Sequence, residues 1–344
     1  MPSGCIARRS PPALTPEEGF APERQRWTIA EGDSGQRLDV HLAAHIGQAR
    51  NQAQRWIREQ RVRVNGKVVR SSYVLGVGDR IATCPPLVVE DRPSPEAGVL
   101  HILYADDHVI AVDKAAGVVV HPGAGRESGT LVNHLLHRYP EIAAVGSPQR
   151  PGIDHRLDAG TTGVILVART GEAYQVLSRA FQERRIFKQY LGIAYGSPDP
   201  AKGTMDRPIA RHRIQRRKMT VSPSGRPAIT HYEVLSPPKR GVALLSLVLE
   251  TGRTHQIRVH LKSRGWPLIG DPLYGEARWR DLPTGWRSTL RAFCRPALHA
   301  WRIELEHPMH HQTLRISASP PEDMARLWRD LFQEEMPTSG KTAG

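Results

Sequence analysis

Residues 151–163, Pro-Gly-Ile-Asp-His-Arg-Leu-Asp-Ala-Gly-Thr-Thr-Gly, crowd Asp154, His155, Arg156 and Asp158 into one glycine-bounded loop. Such a set can do nucleophilic or general acid–base work. The apolar run Val164–Ala168 follows directly and reads as a core strand. Loops held by a rigid strand are common seats for catalytic groups. The Arg-Leu-Asp tripeptide alone means little, since Arg37-Leu38-Asp39 repeats it. What sets the second copy apart is His155 before it and Thr161-Thr162-Gly163 after it.

The elements that must position this loop fall in a long second half. Val99–Tyr104, Val109–Val112, Gly163–Ala168, Ile186–Ala194, Val242–Glu250, Trp301–Glu306 and Thr313–Ala318 read as strands, and Thr130–Arg138, Gly171–Glu183 and Glu322–Phe332 as helices. Strand-rich stretches broken by few helices predict an α+β fold with a mixed, mostly antiparallel sheet over residues 99–331. Arg258 alternates with Ile257 and Val259, which places it on a strand. Ahead of this domain, residues 85–98 hold Pro85, Pro86, Pro93 and Pro95 with acidic residues and read as a linker. Residues 1–26 and 334–344 read as flexible tails.

The chain carries 48 Lys and Arg against 34 Asp and Glu, a formal charge of +14 over 344 residues. That excess makes a polyanion the leading partner. Cys5, Cys84 and Cys294 are far apart and form no paired motif, which argues against a disulfide framework or a zinc site. Apolar runs fall far short of a membrane helix, and no signal-peptide pattern opens the chain. The reading is a cytoplasmic protein that needs no metal or cofactor and no membrane.

Charge concentrates at two places. Between Arg37 and Cys84 nine Lys or Arg face three acids, a net +6. Leu38, Leu42 and Ile46 recur as on a helix, Asn51–Gln60 reads as a second helix, and Val62–Val68 reads as a hairpin around Asn65-Gly66. A strand within Val77–Thr83 completes this small αα-hairpin module of residues 37–84. Basic helix, basic helix and basic hairpin in succession mark a nucleic-acid surface, with Arg37, Arg50, Arg55, Arg58, Arg63 and Lys67 as RNA contacts. The second place is Arg207–Lys218, with six Lys or Arg and no acid. There Arg211, Arg213, Arg216, Arg217 and Lys218 are expected to grip RNA phosphates.

Gln36-Arg37-Leu38-Asp39, Val64-Asn65-Gly66 and Val77-Gly78-Asp79-Arg80-Ile81 resemble the alpha-L RNA-binding module of a small-subunit ribosomal protein. His155-Arg156-Leu157-Asp158 with Thr161-Thr162-Gly163 resembles the signature loop of the RluA-type pseudouridine synthases of large-subunit ribosomal RNA. Asp106–Lys114, Gly117–Gly123, Phe187-Lys188-Gln189-Tyr190, Leu249–His260, Gly270–Gly275 and Ala297–Ala300 continue the likeness in order, from about Val99 to Trp328. Ala115 departs from a usual proline, Ala159-Gly160 from a usual charged pair, and Arg169 from a common lysine.

The resemblance implies isomerisation of uridine to pseudouridine in RNA. The nitrogen–carbon glycosidic bond breaks, the uracil turns, and it rejoins the sugar through carbon 5. One ionised carboxylate is required, as nucleophile or as base on the sugar. Asp158 is that group, with Asp154 as its rival. A shielded carboxylate takes up a proton unless a positive group holds its pKa down, and the resemblance gives Arg258 that task. It gives Tyr190 the face of the uracil, and it puts Arg156, His155 and Thr162 on the substrate. The partner is then RNA, ribosomal RNA first, bound by a monomer. The competing readings are a non-catalytic ribosome-assembly factor and the same chemistry on transfer RNA.

Overall fold

The computed structural model describes residues 25–85, 92–123, 126–276 and 278–337, and the chain divides into two units, residues 1–89 and 90–344. The first unit runs β1 (Gln25–Thr28), α1 (Leu38–His45), α2 (Arg50–Arg58), β2 (Val62–Val64) and β3 (Arg80–Thr83). Its three strands pair antiparallel in the order β1-β3-β2. Leu38 and Leu42 of α1, Ala53 and Ile57 of α2, and Val62, Val64 and Ile81 of the strands share one buried core. The Asn65-Gly66 turn forms as expected, with φ of 50° and 74° and Val64 N–H donating to Lys67 O at 2.9 Å. No second strand follows it, however. Asn65 is tied to β3 instead, donating its N–H to Arg80 O at 2.8 Å and accepting from Arg80 N–H at 2.9 Å. The first tail ends earlier than expected, because Gln25 and Arg26 already belong to β1; residues 1–24 lie outside the described residues.

The second unit opens with β4 (His101–Ala105), β5 (Val109–Lys114), α3 (Leu131–Arg138), the short pair β6 (Gly146–Ser147) and β7 (Arg150–Pro151), β8 (Thr162–Ala168) and α4 (Gly171–Gln182). Next come β9 (Phe187–Tyr195), β10 (Lys202–Asp206), β11 (Ile209–Arg211), β12 (Met219–Val221), β13 (Ile229–Lys239) and β14 (Val242–Leu249). The chain then forms α5 (Gln256–Ser263), α6 (Thr284–Ala292), β15 (Leu298–Glu306), β16 (Thr313–Ser317) and α7 (Glu322–Phe332). Nine strands make one sheet in the order β10-β13-β14-β9-β15-β8-β5-β4, with β16 paired to β15. Only β8 and β15 run parallel within it, so the α+β, mostly antiparallel expectation holds.

The two-residue period of the strands distributes the core between the faces. On β9, Leu191, Ile193 and Tyr195 join a cluster with α6 and α7, where Trp328 stacks on Phe332. Tyr190 and Ala194 point to the other face, among Leu245, Leu247, Ile257 and Leu298. On β8, Val164 and Leu166 face α4 while Ile165 and Val167 face α3. The sheet is therefore covered on both sides where β8 leaves the loop of interest.

Three further expectations need correction. Arg258 lies on helix α5, not on a strand. Gln256 through Leu261 are all buried, so the polar stripe that distinguishes a short helix from a strand is missing there. The linker is shorter than expected: residues 86–91 lie outside the described residues, but Ser94 O accepts from Asn133 Nδ2 at 2.7 Å and Glu96 takes Gly129 N–H at 2.7 Å. These bonds attach the linker's second half to the α3 region. The expected final tail is also packed at its start, since Met336 is buried and Glu334 accepts from Lys239 Nζ at 2.6 Å. Residues 338–344 of that tail lie outside the described residues.

Candidate active site

Glycine and backbone bonds shape the loop before any of its side chains act. Gly163 has φ of 108°, and a Cβ there would run into the Ala300 carbonyl. Only glycine lets β8 lie this close to β15. On one side of Asp158, His155 Nε2 accepts from Leu166 N–H at 2.8 Å and its ring stacks on Phe181 at 4.6 Å. Burial, with the nearby Lys188 charge, lowers the His155 pKa to about 3, so the ring is a neutral acceptor. On the other side, Ala159 O accepts from Gly117 N–H at 2.8 Å and from Lys114 Nζ at 3.2 Å, and Gly160 O accepts from Arg295 Nη1 at 3.2 Å. Lys114 also donates to Ala115 O at 2.9 Å and Val118 O at 2.8 Å. Burial pushes its ammonium down to about 8, opposed in part by Asp158. The loop is fixed from both ends, Gly160 notwithstanding.

Asp158 opens onto a cleft of about 550 Å³ lined also by Asp154, His155, Arg156, Tyr190, His255 and Arg258. That volume is in the range of small-molecule sites. One carboxylate oxygen is engaged: Arg258 Nη1 donates to Asp158 Oδ2 at 2.7 Å. Among the described residues the other, Oδ1, has only His255 Nε2 at 3.8 Å, and the side chain keeps 18% of its surface exposed. Arg258 is itself clamped from behind by Asp271, whose Oδ2 and Oδ1 accept from Nε at 2.7 Å and Nη2 at 2.8 Å. Asp271 is fully buried and is fixed in turn by the N–H groups of Leu273 and Tyr274, at 2.9 and 3.1 Å. Burial opposes the Arg258 charge, but the bonds to Asp271 and Asp158 outweigh it and raise the pKa above the ordinary arginine value. A bidentate arginine–carboxylate pair fixes orientation as well as charge. The single arm that remains, Nη1, is thereby aimed at Asp158.

Tyr190 reaches the cleft from β9 and is 9% exposed. Burial, with the Asp158 charge, raises its phenol well above the ordinary value, so it is protonated at neutral pH. His255, the residue before α5, adopts the left-handed conformation with φ of 56°, an arrangement rare for side-chain-bearing residues and concentrated at functional sites. Its Nδ1 lies 2.8 Å from Tyr274 Oη. Gln256 secures the turn: its Oε1 accepts from Thr251 Oγ1 and Arg253 N–H, and its Nε2 donates to Ile229 O and Thr230 Oγ1.

Of the residues expected in the site, Asp158, Tyr190, Arg258, Arg156 and His155 meet in this cleft, as does Asp154. Thr162 does not: it is buried with its hydroxyl 2.8 Å from His299 Nδ1, and its neighbour Thr161 lines the cleft instead. Arg211, Arg213, Arg216, Arg217 and Lys218 sit on the β11–β12 hairpin and line no part of the cleft; Arg211 Nη1 donates to Arg216 O within that hairpin at 2.6 Å. In the first unit Arg37 and Arg50 both bind Asp39, Arg55 binds Glu59, Arg63 Nη1 donates to Gly66 O, and Arg58 and Lys67 are exposed. Sequence reasoning gave no role to Asp271 or Lys114. Each stands in a noted motif, but only the fold shows what it holds.

Residues 108–263 match the model of the RNA pseudouridylate synthase family, and residues 36–81 match that of the S4 domain. Fold and site thus define an RNA pseudouridylate synthase domain joined to an S4 domain. The chain is 44% identical over 307 residues to ribosomal large subunit pseudouridine synthase D of Escherichia coli K12, covering 87% of this chain and 92% of that protein. It is 41% identical over 311 residues to the protein of the same name from Xanthomonas campestris pv. campestris, covering 89% and 92%. Among solved structures, human RNA pseudouridylate synthase domain containing 4 superposes with a TM-score of 0.54 at 27% identity, over 69% of this chain and 95% of that one. The chain belongs to the RNA pseudouridylate synthase family.

Proposed function

We propose that this enzyme isomerises uridine to pseudouridine in large-subunit ribosomal RNA, with Asp158 as the reacting carboxylate. The observation that carries this reading is the asymmetry of Asp158: Oδ2 is held by Arg258 while Oδ1 is left toward the cleft. An oxygen with an unused lone pair, kept beside a fixed guanidinium and facing the cleft, is available as nucleophile or base. Tyr190 offers a ring face to the uracil, and its protonated hydroxyl sits beside the centre where the carbon 5 proton must depart. Arg156, exposed at the cleft, occupies the gap left by the extruded base.

A uridine stacked within RNA has to be flipped to reach Asp158, at a cost of a few kcal/mol. Phosphate contacts offset that cost, and the S4 domain and the β11–β12 hairpin supply cations for them. The reading includes a cytoplasmic monomer that uses no cofactor; among the described residues no helix is long and apolar enough to cross a membrane. Quantifying pseudouridine in large-subunit ribosomal RNA transcripts incubated with the protein tests it. Conversion at defined uridines is expected. Conversion of transfer RNA alone, or none at all, contradicts it.

A further inference from the structure

Three arginines expected in no role converge on the cleft. Arg184 follows α4, Arg226 precedes β13, and Arg253 lies in the turn before α5; all three line the cleft that holds Asp158. Their partners are few. Arg226 makes no hydrogen bond or ion pair through its side chain among the described residues. Among the described residues the Arg253 side chain uses only Nε, donating to Pro227 O at 3.1 Å, which leaves both its Nη groups without a partner there. Arg184 has Glu250 at 3.8 Å, a carboxylate already bonded to His231 at 2.7 Å.

Like charges gathered at one opening repel. Burial, together with the charges of Arg226 and Arg184, pulls the Arg253 pKa below the ordinary arginine value. An arrangement that costs the free protein in this way is compensated when an anion sits among the three. Arginine forks match phosphate oxygens in pairs. Resting on the reading that RNA is the substrate, we infer that Arg184, Arg226 and Arg253 form a seat for the phosphodiesters flanking the flipped uridine. A nucleotide whose base reaches Asp158 brings its own phosphates to the mouth of the cleft, where these arginines stand. The seat thereby couples backbone grip to base delivery, while the β11–β12 hairpin and the S4 domain hold RNA elsewhere.

The triple variant Arg184→Gln/Arg226→Gln/Arg253→Gln tests this. Affinity for a large-subunit ribosomal RNA transcript and single-turnover conversion are measured from about 50 to 200 mM salt. Three lost phosphate contacts should reduce the log–log salt slope by about two units. Arg→Lys versions at the same positions keep the charge and should recover most of that slope. The pair Arg184→Gln/Arg226→Gln breaks no hydrogen bond and should lose about one unit, which guards against a folding defect in the triple variant. An unchanged slope in the folded Gln variants, or an equal loss in the folded Lys variant, overturns the seat. Failure of the wild type to make pseudouridine would instead strike the functional reading, with the binding slopes still deciding the arginines.

Discussion

Arg37-Leu38-Asp39 and Arg156-Leu157-Asp158 are the same three residues in two units, and their aspartates end in opposite states. Asp39 is fully buried and accepts from Arg37 Nε and Nη2, Arg50 Nε and Nη2, and Gln54 Nε2, at 2.7 to 3.2 Å. Burial works against its charge, but these donors hold its pKa well below the usual carboxylate range. Asp158 is braced through its backbone neighbours and, among the described residues, gripped at one oxygen only. A carboxylate with both oxygens bonded, and five donors in all, is a rivet between α1 and α2. One with a lone pair spare beside a cleft can react. The contrast teaches that reactivity lies in what the surroundings leave unsatisfied, not in the tripeptide.

The largest effect that could break this contrast is at Asp158. Asp158→Asn should reduce turnover at least about a thousandfold, as for other reacting groups. Its stability cost should stay below about 1 kcal/mol, because Arg258 keeps both bonds to Asp271. A melting curve and a single-turnover assay read the two together.

Next comes the clamp behind it. Asp271→Asn leaves one acceptor at position 271 where Arg258 had two, and freedom in Nη1 should lower kcat by about a hundredfold while RNA binding changes little. A kcat near wild type would show that Arg258 needs no second carboxylate. Asp39→Asn should do the reverse of Asp158→Asn. It should destabilise the first unit by about 1–3 kcal/mol and leave the saturating rate intact. Because the folded pKa of Asp39 is depressed, its contribution is present above the unfolded value of about 4 and is lost as pH falls below it. The Asn variant should lack that acid-dependent loss in chemical denaturation.

Lys114 gives a smaller signal of the same sign, at higher pH. Its folded pKa of about 8 lies below the unfolded value of about 10.4, so the unfolded chain binds the extra proton between them. Stability of the second unit should rise with pH across that window, by up to about 1.4 kcal/mol per unit. Lys114→Met should flatten the rise and, by taking the donor from the Ala115 and Val118 carbonyls, lower stability by about 1–3 kcal/mol at neutral pH. A rise that persists in the Met variant assigns it to another group.

Most of the strand pattern was legible because half-buried and fully buried strands announce themselves by period and composition, as β5, β8 and β9 do. The loop that brings Asp158 to the cleft was legible from its motif. Helix α5 was not, since burial on every side erased its polar face. Nor was β13, whose Pro237-Pro238 pair argues against a strand; register shifts after Val234 and Ser236 accommodate it. Asp271 and the three mouth arginines were illegible for another reason. Their meaning is pairwise and long-range: Arg258 and Asp158 are a hundred residues apart in the chain, and no local pattern records such a meeting. Thr162 was misplaced because consecutive strand residues face opposite ways, and one step along β8 turned its hydroxyl to His299.

The most direct test follows the hydrogen that the reaction must expel. Large-subunit ribosomal RNA carrying tritium at carbon 5 of uridine releases it to water only when carbon 5 becomes the point of attachment. Wild type should release it, and Asp154→Asn, the same chemical change four residues away on an exposed side chain, should release it at nearly the same rate. Folded, RNA-binding Asp158→Asn should release none above background. Release by Asp158→Asn at the wild-type rate, or its loss in Asp154→Asn instead, would contradict the assignment of Asp158.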